Sequence, residues 1–375
     1  MSSEAVDVWA GQPGDQAIVD SSALSPTDKA GRAIPVTIPI ALAPGVKVVY
    51  TTRLGGVSQG DFASCNLGGK GGEDPALVQA NREALAQELG VDVALVSQVH
   101  SGRAVDMDEL LVSPAAKVSP AFSSPAEGVD GPRLIDHSGG ALAAEASPVS
   151  SGQSHQDGSP EQMPGAGRVI EADAQVSSQK GLALGVFAAD CLPVLLADPE
   201  AGLIAAAHCG RKGLQRGIIA STVELMVAKG GRTGRMVATL GPCICGDCYE
   251  VGADLADDFD AQFPGSFGLS RFGGPSIDLA LAARQGLAKA GIPRDSLIDS
   301  SRRVAAATQY LAADQELADL SRQDGEGMPD LAERLGEIHH SLCTLENPLW
   351  YSHRRAALAH KLREGRMLAL IVRED

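Results

Sequence analysis

The segment LALGVFAADCLPVLLADPEAGLIAAAHCGRKG, from Leu182 to Gly213, constrains the fold of this chain more than any other. It holds three short apolar runs, Leu182 to Ala189, Leu192 to Ala197 and Gly202 to His208, with Asp198-Pro199-Glu200-Ala201 as turn chemistry between the last two. Runs of this length bounded by turn residues predict strands buried on both faces. A hairpin folded about Pro199 and Glu200 pairs positions whose numbers sum to about 399 or 400. That register sets Cys191 opposite His208 or Cys209. A thiol and an imidazole so placed form a nucleophile with its base, two ligands of a soft metal, or a buried Cys beside a hydrogen-bonded core His. Pro193 cannot donate to a ladder, which confines its strand to an edge or to a strand start.

With 43 glycines and 21 prolines among 375 residues, part of the chain is expected outside a packed core. The formal charge of −16 and a pI near 4.9 argue against nucleic acid as the main partner and against an anionic membrane surface, while small anions can still bind locally. Seven cysteines, three of them crowded between Cys243 and Cys248, fit a reducing cytosol better than a secreted disulfide framework. The first thirty residues hold no basic segment followed by an apolar one, and no apolar run reaches the length of a membrane span. A cytoplasmic protein is expected, with no indication of its protein partners.

Residues 1–39, polar and rich in small side chains, read as a disordered tail before a single domain over 40–375. Val46 to Thr52 is a predicted strand, followed by Arg53 before Gly55-Gly56, a candidate anion contact or a solvated loop Arg. Asn66 to Gly72 is glycine-rich but lacks the spacing of a phosphate-binding P-loop. Asp74-Pro75 opens a helix that Gly90 closes, and a strand from Ala94 ends on His100. Residues 114–167 turn to Ser, Pro, Ala and Gly and are read as a largely disordered insertion; 300–327 is a possible second one, part helical. Asp173 is a candidate orienting carboxylate, or a cap or turn residue.

Beyond His208, the loop Cys209-Gly210-Arg211-Lys212-Gly213 feeds a helix expected from Leu214 to Ala228, whose free backbone N–H groups and Lys212 suit an anion such as phosphate. Cys243-Ile244-Cys245-Gly246-Asp247-Cys248 resembles half of a zinc or iron–sulfur motif. No second ligand group of the usual spacing follows, so these are read as structural thiols. His353 and Arg354 either line a site or form a solvated basic patch, and Met367 to Val372 is a closing buried strand.

Taken together, the ordered motifs Thr51-Thr52-Arg53-Leu54-Gly55-Gly56-Val57-Ser58, Asn66-Leu67-Gly68, Gln98-Val99-His100, Ala172-Asp173-Ala174, Ala189-Asp190-Cys191-Leu192-Pro193-Val194, Ala207-His208, Gly241-Pro242, Tyr249-Glu250-Val251-Gly252, Cys343-Thr344 and Ser352 with Arg354 resemble the YfiH family of laccase-domain proteins. The resemblance covers roughly Val46 to Val372 less the two insertions. It implies an α/β fold of mixed β-sheets in a layered α/β/β/α arrangement. It further implies that His100, Cys191 and His208 bind one zinc, copper being the less favoured ion, and leave a fourth position open.

The activity it implies is phosphorolysis of purine nucleosides (adenosine, inosine, methylthioadenosine) together with adenosine deamination. Purine nucleoside and phosphate are then the partners, with Arg53, Asn66, Arg211, Lys212 and Arg354 as candidate substrate or phosphate contacts and Asp173 and Asp190 as candidate proton shuttles. The family's usual Ala-His-Ala-Gly-Trp-Arg-Gly reads Ala207-His208-Cys209-Gly210-Arg211-Lys212-Gly213 here, removing an aromatic and a bidentate guanidinium. Three other readings stand beside this one: a metal-free Cys191 hydrolase or peptidoglycan editing factor, a non-catalytic metal-binding protein, and a copper polyphenol oxidase. The last is disfavoured because only three of eight histidines fall in the motifs.

Overall fold

The computed structural model describes residues 33–112, 132–138, 169–325 and 330–374. Two six-stranded mixed sheets dominate it. The first runs β1 (Thr37–Ala43), β2 (Val46–Thr51), β14 (Met367–Arg373), β7 (Leu182–Ala188), β3 (Asp92–Val96), β5 (Leu134–His137); its first four strands are antiparallel, and β3 lies parallel to both β7 and β5. The second runs β13 (Leu297–Ile298), β10 (Val237–Leu240), β8 (Leu192–Asp198), β9 (Leu203–Cys209), β6 (Ala174–Ser177), β4 (Ala104–Asp106), antiparallel except for its two outermost pairs. A small hairpin pairs β11 (Phe267–Leu269) with β12 (Pro275–Ile277).

The three apolar runs become β7, β8 and β9, and every residue of β8 and β9 is buried. Period-two alternation sends their side chains to two different cores. Leu195, Ala197, Ile204 and Ala206 meet Tyr50, Leu184, Val186 and Ile371 of the other sheet. Val194, Leu196, Ala205 and Ala207 instead face outward, under Ile219, Val223, Met226 and Leu287 of the helices Ile218–Ala228 and Leu279–Lys289. On the far side of the first sheet, Leu85 and Ala86 of the helix Pro75–Leu89 cover Val49, Leu95 and Leu370. The layers are therefore α/β/β/α. Among the described residues no helix is long and apolar enough to cross a membrane.

Two details differ from the sequence reading. The β8–β9 turn is wider than a two-residue hairpin: Asp198 pairs with Leu203, its carboxylate accepts from the Ala201 N–H, and Gly202 takes φ +66°. Pro193 consequently faces His208, and Cys191 lies just beyond the strand end rather than opposite the histidine. Pro193 is tolerated because it sits at the strand start, its carbonyl accepting from Gly241 N–H, although β8 is interior. The helix expected from Leu214 is two, Arg211–Gln215 and Ile218–Ala228, broken where Gly217 adopts φ +77°.

The expected tail and insertions fall partly outside the described residues. Within 114–167, residues 132–138 are described and carry β5 (Leu134–His137), parallel to β3, and the remainder of that interval lies outside the described residues. The interval 300–327 carries the helices Ser301–Tyr310 and Gln315–Gln323, whose Val304, Leu317 and Leu320 join the inter-sheet core. Of the expected tail, residues 1–32 fall outside the described residues, and β1 already begins at Thr37.

Candidate metal and substrate site

His100 follows the end of β3, Cys191 precedes β8 and His208 is the penultimate residue of β9, so strand ends from both sheets converge on one point. The Cys191 Sγ and His100 Nε2 are 3.7 Å apart, and the rings of His100 and His208 meet edge to face at 4.8 Å. All three ligand atoms lie within 4.8 Å of one another. His100 at φ +58° and Asp190 at φ +96° occupy left-handed backbone conformations that side-chain-bearing residues rarely adopt, and surrounding hydrogen bonds hold them there.

Asp173, fully buried, organises this convergence. Its carboxylate accepts from the backbone N–H groups of Val99 (3.2 Å), His100 (2.9 Å) and Ser101 (2.5 Å), from Ser101 Oγ (2.7 Å), and from His208 Nδ1 (3.1 Å). The His208 N–H also donates to the Asp173 carbonyl at 2.7 Å. With Nδ1 engaged, Nε2 of His208 is the nitrogen left for a ligand, the carboxylate–histidine arrangement of metal sites. Burial works against the Asp173 anion, but the His208 and Ser101 hydrogen bonds outweigh it and hold the carboxyl at about 2. Burial likewise opposes the Cys191 thiolate, yet the His208 charge and the His100 hydrogen bond bring it down to about 6. Burial would lower His208, but the facing thiolate and Asp173 raise it to about 9.

These residues fit a soft divalent metal. One thiol that ionises readily and two imidazoles are a zinc-type donor set, and three protein ligands leave a coordination position for water or substrate. The site also lacks a side chain where one would intrude. A Cβ on Gly210 would lie 2.8 Å from Cys191 Sγ and 3.1 Å from His100 Cδ2. Since Gly210 has φ −68°, alanine fits its backbone and the cost is purely steric. Gly210→Ala is expected to leave the circular dichroism spectrum unchanged while displacing the ligands. A displacement of this kind costs about 10²-fold in activity.

The cluster opens into a cavity of about 520 Å³, within the range of small-molecule sites. Its walls carry two aromatic rings, Phe187 and Tyr249, and a basic side formed by Lys70, Arg354 and Arg366. Lys70 Nζ donates to Ser97 Oγ at 2.6 Å, and the Arg354 guanidinium donates to the Glu250 carbonyl and lies 5.7 Å from the Tyr249 ring. Arg366, by contrast, is paired with Glu364 at 2.6 Å. Asp190 lines the cavity too. Its carboxylate accepts from Thr344 Oγ1 (2.6 Å) and the Arg354 N–H (2.7 Å), pinning the residue before Cys191.

Of the candidates read from sequence, His100, Cys191, His208, Asp190 and Arg354 meet at this cavity. Asp173 stands behind it, fully buried, its oxygens committed to five donor groups. Arg53 is buried elsewhere against Asp324, at 2.6 Å. Asn66 is buried as a loop clamp, accepting from Gly68 N–H and Arg366 N–H and donating to Glu73. Arg211 bonds Gln215, Lys212 is exposed, and neither lines the cavity. Sequence reasoning missed Lys70, Phe187 and Arg366. Lys70 sits inside the glycine-rich stretch that was noted, but only the fold shows that this loop rims the pocket.

The fold defines a layered α/β/β/α protein with a Cys–His cluster at the strand ends of its two mixed sheets. Comparison fixes its family. A family model described as multi-copper polyphenol oxidoreductase laccase matches residues 47–374, and the chain belongs to this laccase-domain family. It is 36% identical over 246 residues to purine nucleoside phosphorylase ORF3 of Streptomyces griseus, covering 65% of this chain and 79% of that one. It is 32% identical over 284 residues to purine nucleoside phosphorylase Cgl2154/cg2365 of Corynebacterium glutamicum, covering 75% and 93%. A more distant relative, adenosine deaminase RL5 of an unknown prokaryotic organism, is 28% identical over 266 residues, 68% of this chain and 83% of that one. Among solved structures, Neisseria meningitidis protein NMB0706 superposes with a TM-score of 0.57 at 26% identity, covering 91% of this chain and 99% of the other.

Proposed function

We propose that this protein is a zinc-dependent purine nucleoside phosphorylase that also deaminates adenosine. The observation that carries the reading is the convergence, in one cavity, of the Cys191, His100 and His208 cluster with Lys70 and Arg354, cations that no carboxylate of the described residues pairs. Two relatives named purine nucleoside phosphorylases and one named an adenosine deaminase support it.

Phosphorolysis breaks the bond between the purine and the ribose anomeric carbon and forms a carbon–oxygen bond to phosphate; the electron pair leaves with the purine, which must be stabilised or protonated. Lys70 and Arg354 hold the phosphate, and Phe187 and Tyr249 offer faces for the base. Burial raises the Tyr249 hydroxyl above its ordinary value, so it stays protonated and can donate to the departing base. Asp190, fixed by Thr344 and Arg354, positions Cys191 and Arg354 together. Cys191, His100 and His208 would hold the zinc, which would supply Lewis-acid polarisation of a substrate group.

Chromatography of adenosine digests tests the proposal. Adenine and ribose 1-phosphate are expected only when phosphate is present, and inosine without it reports the deaminase activity. Absence of both products from zinc-loaded protein rejects the reading. Lys70→Met is expected to raise the KM for phosphate about tenfold or more, the loss of one charge-assisted hydrogen bond, with little change in the KM for nucleoside.

A further inference from the structure

We infer that Cys245, Cys248, Cys343 and Glu346 form a second metal site, structural and of the zinc class, separate from the substrate cavity. Their ligand atoms all lie within 4.8 Å of one another. A tetrahedral zinc–thiolate site has ligand edges of roughly 3.7 Å, given bonds near 2.3 Å, so a small contraction closes the set. Cys245 and Cys248 bracket a tight turn in which the N–H groups of Cys248 and Tyr249 both donate to the Cys245 carbonyl at 3.0 Å. The C-x2-C spacing thus presents two sulfurs to one point, as in zinc knuckles.

The other half of the site comes from 98 residues further along the chain. A parallel bridge between Cys243 and Cys343 brings the two segments together, with Cys243 N–H donating to the Leu342 carbonyl and Thr344 N–H to the Cys243 carbonyl. Cys245 N–H then donates to Cys343 Sγ at 3.4 Å, the kind of N–H to sulfur bond that steadies a thiolate. Glu346, 7% exposed, directs Oε1 at the thiols of Cys245 (3.6 Å) and Cys248 (3.5 Å). Its Oε2 is fixed by the N–H groups of His339 and His340, and His340 Nδ1 sits 3.2 Å from Oε1 as a backing group. Arg271 reaches Oε1 only at 3.8 Å.

Three free thiols around a buried carboxylate make a poor apolar core and pair in no disulfide. A divalent cation offsets half of the negative charge of three thiolates and a carboxylate and gives all four groups a partner. Four protein ligands leave no open position, the mark of a structural site. Its place in the fold gives it a task. Ile244 N–H donates to the Asp190 carbonyl at 3.0 Å and Thr344 Oγ1 to the Asp190 carboxylate, so the two stapled loops are the ones that pin the residue before Cys191.

Metal analysis of the full-length protein, purified under reducing conditions, tests this inference apart from the proposed activity. In Cys191→Ala, which removes the cavity thiol, one zinc per chain is expected to remain, and cobalt in its place is expected to show an intense thiolate charge-transfer band. Adding Cys245→Ser and Cys248→Ser is expected to abolish both the metal and the band. Where those serines impair folding, Glu346→Gln in the same background is expected to weaken zinc retention against a chelator at least tenfold. A Cys191→Ala protein that holds no zinc and gives no thiolate band overturns the inference, as does a Cys245–Cys248 disulfide found in the reduced protein. Zinc retained at this site in Cys191→Ala, together with no nucleoside turnover by the zinc-loaded wild-type protein, rejects the activity and leaves this site standing.

Discussion

Asp324→Ala is expected to lower the unfolding free energy by about 3–5 kcal/mol, the cost of stranding a buried charge by removing its partner. The carboxylate is 5% exposed and receives Arg53 Nη1 at 2.6 Å, Arg355 Nε at 3.1 Å and Lys361 Nζ at 2.6 Å. It joins the turn after β2, the helix His353–Leu358 and the C-terminal end of the helix Gln315–Gln323. Arg53, which also lies 5.4 Å from the Tyr351 ring, is thus paired with the protein's own anion. Asn at 324 keeps the volume but not the charge and is expected to recover little. Denaturant midpoints measured across pH check the electrostatic origin. Burial opposes ionisation of Asp324, but Arg53 and Arg355 outweigh it and hold its pKa well below the ordinary value. A group depressed in the folded state contributes fully above its unfolded pKa, near ~4, and loses that contribution as pH falls toward the folded value. The gap between wild type and Asp324→Asn should therefore be constant near neutrality and narrow below about pH 4. A gap independent of pH assigns the loss to packing instead.

Asp173→Asn is expected to weaken metal binding at the cavity by about 10–100-fold, the usual effect of removing the group that orients a ligating histidine. The asparagine has one acceptor oxygen where the carboxylate offers two, and its amide NH2 would face either the His100 N–H or the Ser101 N–H. A stability loss of about 1–3 kcal/mol should accompany this, because buried donors lose their acceptor. Chelator competition separates the two effects, since a purely structural role would lower the melting temperature of metal-free and metal-loaded protein alike. Unchanged metal affinity in the variant would reject the orienting role. Ser101→Ala, which removes one of several donors to the same carboxylate, should have the smaller effect.

Much of this site was legible in the chain itself. The apolar runs predicted β7, β8 and β9, and the ordered motifs identified His100, Cys191, His208, Asp190 and Arg354, which do meet at one cavity. Each signal was local: a short run bounded by turn residues, or a motif a few residues long. Register was not local enough. The β8–β9 pairing depended on a turn whose width Asp198 and Gly202 set together, so Cys191 could be placed near His208 but not at its true position.

The roles of charged residues divided along the same line. Sequence determined that this chain builds buried strands and carries thiol and imidazole groups near their ends, because burial pattern and residue type are properties of short segments. Only the tertiary structure decided which partner each charge meets, because those partners lie far along the chain. Arg53 turned out to belong to Asp324, 271 residues away, and Asp173 to the histidines it orients. Lys70 came to rim a pocket, and Cys245 and Cys248 found Cys343 and Glu346 across 98 to 101 residues of intervening chain. Coulomb and coordination interactions fall off over a few ångströms in space and are blind to sequence separation, so spacing along the chain cannot reveal them until folding has set the distances.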